Sequence, residues 1–522
     1  MSVSLEGDDD KPSVALVVGV MLVATLEVLD VTVVNIALPH IMGSFGATPD
    51  QVTWMITSYL IATVIVMPLT GYFVSRYGRQ RTMLVGVVGF TVTSLACGLS
   101  WSLTSMVVFR FLQGAFGAVL VPISQSILLD AYPREKANQA MALWGLAIMV
   151  APVMGPVIGG YITEYWSWPW VFFINIPLGC IALFLVIDRE KSLPKGKRVD
   201  ADWWGLLFLA IALASFQTVL DQGHMRDWFE STFIWILSWI SICFALLFIA
   251  RAYGRNDNFI DIRLFADRNF TFGCLLMAGY GMAMYSNIVM WPLLAQSVFN
   301  YPADQAGWIL APRGVVSAIM MITIGTWLAP RVDMRWIIGI GLIFSAYAAS
   351  MMAGLSRDAG TFSLVAPGLL MGLAMACVFA QLSTATFSTI VPEKSSDAAG
   401  IYNAVRGIGG SIGIAITSAF LVRKEQIHWH NLGTNISEVN PNIYSWMEKA
   451  DIAIDEPTAA AKLGKELFRH AEMAAFNDVF WLVALMFISL LPLVFFMNNT
   501  LRSRSGSTKK KVSQKDSSSH QG

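Results

Sequence analysis

Charge is scarce in this chain: Asp, Glu, Lys and Arg make up 13% of its 522 residues against 55% hydrophobic side chains, which excludes an ordinary soluble globular domain. Cysteine is scarcer still. The five cysteines, Cys97, Cys180, Cys243, Cys274 and Cys377, all fall in apolar runs and none in C-x-x-C spacing, so no disulfide framework or metal site is expected. Of six histidines, the close pair His428 and His430 sit two apart, pointing to different sides of a helix, and read as solvated loop residues. No G-x-x-x-x-G-K-[ST] stretch occurs, and the glycines from Gly407 to Gly413 follow no strand, so ATP is not the expected energy source and no cofactor is expected. Lys plus Arg equals Asp plus Glu at 35 each, leaving no basic face for nucleic acid. A cluster of nucleophile, base and orienting group is also missing, which argues against an enzyme.

What the chain has is long apolar runs, at a mean hydropathy of +0.59. Runs of about 20 residues long enough to cross a bilayer begin near Val14, Gln51, Arg81, Thr104, Asn138, Pro169, Trp203, Ser231, Thr271, Gly307, Trp336, Phe362, Ala398 and Asn477, fourteen in all. The predicted fold class is therefore an all-α polytopic membrane protein. Lys and Arg collect in alternate loops, among them Arg76, Arg79, Arg81, Arg189 to Arg198, Arg331 and Arg335, which places both termini in the cytoplasm. The start, Asp8-Asp9-Asp10-Lys11, lacks the positive charge of a signal peptide and is expected to stay uncleaved.

An internal repeat sets the architecture. Gly71 to Arg81 after span two corresponds to Gly325 to Arg335 after span ten, each running from a glycine into a tight basic turn. Span five, with Pro152, Gly155, Pro156, Gly159 and Gly160, corresponds to span thirteen, with Gly407, Gly409, Gly410 and Gly413. Both offsets are eight spans, so two six-helix bundles flank two inserted helices. The expected division is a cytoplasmic arm over 1–13, a first bundle over 14–190, inserted helices over 203–252, a second bundle over 270–497 with an outside loop over 423–476, and a disordered cytoplasmic tail over 498–522.

Ionisable residues within spans cost roughly 2.5–3.5 kcal/mol and mark function by default. Asp30 lies in Leu29-Asp30-Val31-Thr32-Val33-Val34-Asn35-Ile36-Ala37-Leu38-Pro39, and Glu27 is three residues before it, on the same helix face. Span one runs outward and span four inward, so Asp30 and Arg110 reach the same depth. Either Asp30 alternates between pairing with Arg110 and holding a proton, or the two form a fixed pair that sets helix register. Arg313 and Arg406 are the intramembrane cations of the second half, placed to meet anionic substrates or a carboxylate, or else to cap carbonyls. Asn35, Gln113, one turn from Arg110, and Asn403, three before Arg406, are the polar substrate contacts expected. Pro457 is expected to open a helix in the outside loop, as a docking element or a passive cap.

These pieces, with Arg110-Phe111-Leu112-Gln113-Gly114, Trp170 to Pro177 and Leu220-Asp221-Gln222-Gly223, resemble the major facilitator superfamily, specifically the fourteen-span drug:proton antiporters (DHA2) and most closely the EmrB-type multidrug exporters. The resemblance covers Val14 to about Met497. It implies the MFS fold, proton-driven export of hydrophobic or amphipathic drugs from a bacterial inner membrane, and work with an EmrA-like periplasmic adaptor and a TolC-like outer-membrane channel. It also assigns gating to Gly71, Arg76, Gly78, Arg79, Asp333 and Arg335, and an antiporter motif to Pro152, Gly155, Pro156, Gly159 and Gly160, while the residues themselves point to Asp30, Glu27 and Arg110 for proton coupling. One position departs: Ser75 stands where the family commonly has Asp, so a charge interlock there does not carry over. A proton-coupled metabolite symporter shares the fold, and a membrane protein without transport activity is the remaining alternative.

Overall fold

The structure, a computed structural model, describes residues 13–133, 136–187, 202–253, 262–434 and 459–497. The amino-terminal arm, the basic run from Arg189 to Arg198, Pro457 with residues 435–458 of the long loop, and the carboxyl tail lie outside these. Among the described residues there is no strand. Thirteen helices among them are long and apolar enough to cross a membrane: α1 (Val14–Phe45), α2 (Gln51–Tyr77), α3 (Arg79–Gly98), α4 (Leu103–Ala131), α5 (Ala137–Tyr165), α7 (Trp203–Gln222), α8 (Thr232–Ala252), α9 (Arg268–Ser297), α10 (Gln305–Leu328), α11 (Met334–Ala353), α12 (Thr361–Phe387), α13 (Pro392–Gly433) and α14 (Ala461–Val494). The remaining predicted span is the shorter apolar helix α6 (Trp170–Val186).

An all-helical answer follows from the solvent, because every backbone polar group in hydrocarbon must find its partner within the segment. Packing repeats at an offset of eight. In the first half α1 packs on α5 and α6, and α4 on α2 and α3; in the second, α9 packs on α13 and α14, and α12 on α10 and α11. The inserted helices α7 and α8 pack on each other, and α7 alone of the two reaches both halves, through α2 and α13.

Glycine sets how closely paired helices approach. A Cβ on Gly155 would lie 2.1 Å from Thr32 Oγ1, and one on Gly159 3.1 Å from the Val33 carbonyl, so α5 lies directly on α1. The equivalent pair in α13, Gly409 and Gly413, meets the Ala278 and Met282 carbonyls of α9 at 2.2 and 2.1 Å. Gly160 faces open space, as does Gly407.

The segment expected as a long loop is more helical than expected: the helix anticipated after Pro457 is present from Ala459, and α13 also runs on past its apolar part. Residues 423–433 and 459–476 are helical, continuing α13 and α14 beyond the apolar core. At about 1.5 Å per residue the 42 residues of α13 extend about 60 Å, twice the roughly 30 Å hydrocarbon thickness. Charged residues that looked like loop instead pair along this helical stalk. Lys424 and His428 both reach Asp478, at 2.9 and 3.0 Å, and Arg357 reaches Glu466 at 2.6 Å. His428 is thus a stalk residue with a carboxylate partner rather than a solvated loop histidine.

Candidate functional site

Asp30, in the middle of α1, is 1% exposed, and so is Arg110 of α4. Arg110 Nη1 donates to Asp30 Oδ2 at 2.5 Å. The other carboxylate oxygen, Oδ1, accepts from Gln113 Nε2 at 2.9 Å and from Asn175 Nδ2 at 2.7 Å. The network closes on itself: Arg110 Nη1 also donates to Gln113 Oε1 at 2.8 Å, and Asn175 Nδ2 to Ser94 Oγ at 3.1 Å. The Tyr59 ring lies 4.2 Å below the guanidinium, within cation–π range. Charge-assisted bonds of this kind are what make an ion pair tolerable in a low-dielectric interior.

The pairing of Asp30 with Arg110 was legible because two opposite charges stood in apolar runs at matching depth. Asn175, Ser94 and Tyr59 were missed. The available signal was a lone amide inside the otherwise apolar α6, in the Trp170 to Pro177 stretch. Gln113, expected as a substrate contact, sits on Asp30.

Glu27, one turn before Asp30 and 9% exposed, has no hydrogen-bond partner among the described residues. Its electrostatic neighbours are Arg406, from the second half, and Asp30. Arg406 lies against the Trp144 and Phe379 rings, which stack on each other, 5.8 and 5.7 Å from their centroids, with Nε and Nη1 buried and without partners. Asn403 donates across the halves to Gln125 Oε1 at 2.6 Å.

Between the halves lies a cavity of about 520 Å³, walled by α1, α5, α9, α10 and α12. Of the expected substrate contacts Asn35 and Arg313 line it, together with Pro152 of the antiporter motif, Gln296, Ser317 and Met375. Gln113, Asn403 and Arg406 do not. Arg313 is the cation of this wall; it donates to Asn287 Oδ1 at 2.9 Å and to the Met375 sulfur at 3.0 Å, and no carboxylate pairs with it among the described residues. The lining is otherwise mainly apolar, as ligand pockets are. It sits toward the ends of α1 and α9 and the start of α10, away from the basic turns.

At the basic end the halves touch. A Cβ on Gly71 would collide with the Asp397 side chain of α13, and one on Gly325 would lie 2.9 Å from Ala142 Cβ of α5. Gly78, between α2 and α3, has φ +88°, a conformation glycine adopts without strain. Arg79 pairs not with a loop aspartate, Ser75 being in its place, but with Asp130 at the end of α4, at 2.5 Å. Asp130 also accepts from Ser395 Oγ of α13 at 3.1 Å, and Ser126 Oγ lies 2.9 and 3.0 Å from Ser395 and Ser396 Oγ. In the second half Asp333 pairs with Arg335 at 2.8 Å and caps the start of α11. Arg76 is exposed. The Pro156 side chain lies outside the described residues.

The Major Facilitator Superfamily profile matches residues 20–414. Over 490 residues the chain is 34% identical to the multidrug export protein EmrB of Escherichia coli (strain K12), covering 92% of this chain and 95% of that relative. It is 30% identical over 483 residues to the fatty acid resistance protein FarB of Neisseria gonorrhoeae, covering 92% and 95%. Among solved structures, the human organic anion transporter MFSD10 aligns with a TM-score of 0.62 at 16% identity, over 92% of this chain and 99% of that one, a likeness of fold. Two pseudo-equivalent bundles, a cavity between them and a match spanning most of the chain lead to one conclusion: this multi-pass membrane protein belongs to the Major Facilitator Superfamily, alongside its EmrB-type members, and is a transporter rather than an enzyme.

Proposed function

We propose that this chain is a proton-driven multidrug exporter that moves amphipathic compounds by alternating access. The observation that carries the reading is the Asp30 carboxylate, sealed within the membrane and held by donors from α4 and α6. In this state Asp30 is a paired anion. Taking up a proton neutralises it and frees Arg110, so protonation and helix packing change together, as a transport cycle needs. One charge crossing 100 mV supplies about 2.3 kcal/mol, so a proton or two sustains a useful gradient.

The mainly apolar cavity with one unpaired guanidinium, Arg313, suits amphipathic molecules that carry negative charge. The names of the EmrB and FarB relatives, multidrug export and fatty acid resistance, are in keeping with that chemistry. The setting we propose is a bacterial inner membrane with both termini cytoplasmic and the stalk of α13 and α14 facing an EmrA-like adaptor, itself joined to a TolC-like channel. The sidedness of Lys and Arg supports that orientation.

The test is proton release from purified protein on adding tetraphenylphosphonium or, separately, a weak-acid uncoupler, for the natural chain beside Asp30→Asn. Release from the natural chain alone is expected. Equal release from both places the coupling group elsewhere, and release from neither rejects the exporter reading for these compounds.

A further inference from the structure

The last turns of α7 carry a second polar cluster that the Asp30 network does not touch. Gln217 Nε2 donates to Asp221 Oδ1 on its own helix at 3.0 Å and to Ser411 Oγ of α13 at 3.1 Å. Thr57 of α2 is an electrostatic neighbour of the Asp221 carboxylate, and α7 packs on α2 along this stretch. One carboxylate therefore sits where the inserted helix meets both halves of the transporter.

Two features set this carboxylate apart from Asp30. First, no cation is paired with it. The groups that bear on it among the described residues are Gln217 of its own helix, Thr57 of α2, Ser411 of α13 through Gln217, and, in the turn after α7, His224, which is near the Asp221 backbone rather than ion-paired with its side chain. Second, the cluster holds bare polar atoms. Asp221 Oδ2, Gln217 Oε1 and both amide atoms of Gln222 are buried without a partner, while Gln217 and Gln222 are each 1% exposed. Buried polar atoms seldom go unpaired in a finished structure. Asp221 Oδ2 and Gln217 Oε1, one turn apart on the same face of α7, are thus two acceptors with no donor between them.

An ionised carboxylate oxygen buried in protein without a cation or a donor is expensive. A proton removes that cost directly. We infer that Asp221 is a second proton-binding site, with the proton on Oδ2, and that Gln217, gripping Asp221 and Ser411 through one amide nitrogen, ties its occupancy to closure of the cleft between α2 and α13. When α13 withdraws, the Gln217 to Ser411 bond breaks, water reaches Oδ2, and the proton passes to that water to leave a carboxylate. The inserted pair then has a mechanical part in the cycle. That consequence rests on the proton-driven reading above, whereas the bound proton itself does not.

The experiment is infrared spectroscopy of the full chain in lipid with no transported compound present. The natural protein is expected to show the carbonyl stretch of a protonated carboxylic acid that is lost in Asp221→Asn and retained in Asp30→Asn. An unchanged band in Asp221→Asn overturns the assignment. Should Asp221→Asn fail to fold, Gln217→Ala serves: removing the donor to Oδ1 is expected to shift the band, and an unmoved band overturns the proposal. Because no drug is added, this result and the proton-release test of export fail independently.

Discussion

At the scale of single residues, Asp30 and Arg110 stabilise each other only as a pair. Removing one member of a buried ion pair leaves an unpaired charge and costs about 3–5 kcal/mol, whereas replacing both with neutral groups is often close to neutral. Arg110→Leu is therefore expected to destabilise the protein more than the double variant Asp30→Asn/Arg110→Leu, read from denaturation midpoints in detergent. If the double variant is as unstable as the two single losses added together, the charges are not coupled. Asn175→Ala removes one of two donors to Asp30 Oδ1 and is expected to lower stability by about 1–3 kcal/mol, checked by the same denaturation series. Arg313 differs in having no anionic partner among the described residues, so Arg313→Ala is expected to fold normally but weaken export of anionic amphipaths relative to cationic ones. Competition between a fatty acid and tetraphenylphosphonium in cells or proteoliposomes reads that ratio, and an unchanged ratio removes Arg313 from substrate recognition. Asp30, Arg110 and Arg313 stood out in the sequence because a charge inside an apolar run is costly wherever it points. Asn175 and Gln125 did not, since a neutral amide is cheap enough to lie on any face, and only the three-dimensional packing shows which amide meets a carboxylate and which bridges the halves.

Among the helices, the glycines of α5 divide into two kinds that composition cannot separate. Gly155 is pressed against Thr32, while Gly160 has nothing within 4 Å of an added Cβ. Gly155→Leu is expected to force α5 away from α1 and abolish coupled transport, while Gly160→Ala leaves transport near that of the natural chain. Parallel flux measurements at matched expression decide this, and equal effects at the two positions would reject the close-packing account. The eight-span repeat was readable because Gly71 with its basic turn and Gly325 with its own carry the same spacing, and the glycine pairs of α5 and α13 repeat it. Of the stalk, only the helix after Pro457 was readable. Lys424 and His428 look like loop residues to any hydropathy argument, yet both reach Asp478 across α13 and α14, while Glu466 of α14 is held by Arg357 from the turn before α12. The Arg79 partner was hidden for a similar reason, since Asp130 stands 51 residues away and meets Arg79 only because α4 returns to the same end.

At the scale of the whole molecule, the two bundles meet differently at their two ends. The basic end is shut by small side chains and short polar bonds across the halves: Gly71 on Asp397, Gly325 on Ala142, Ser126 with Ser395 and Ser396, and Gln125 with Asn403. Toward the other end the halves part around the cavity that holds Asn35 and Arg313. The contacts at the shut end are numerous but individually modest, roughly 0.5–1.5 kcal/mol for each neutral hydrogen bond, so a difference in ligand or proton binding of a few kcal/mol can open them. Alternating access requires that they open, with α4 and α13 separating at Ser126. The variant Ser126→Cys/Ser396→Cys, in a chain whose five native cysteines are replaced, puts two thiols where hydroxyl oxygens lie 3.0 Å apart. Oxidation is expected to form a disulfide that arrests transport, and reduction to restore it, with each single-cysteine variant active throughout. If the cross-linked protein transports at the rate of its reduced form, the two halves do not part at this end, and the rocking of one bundle against the other is not how this transporter works.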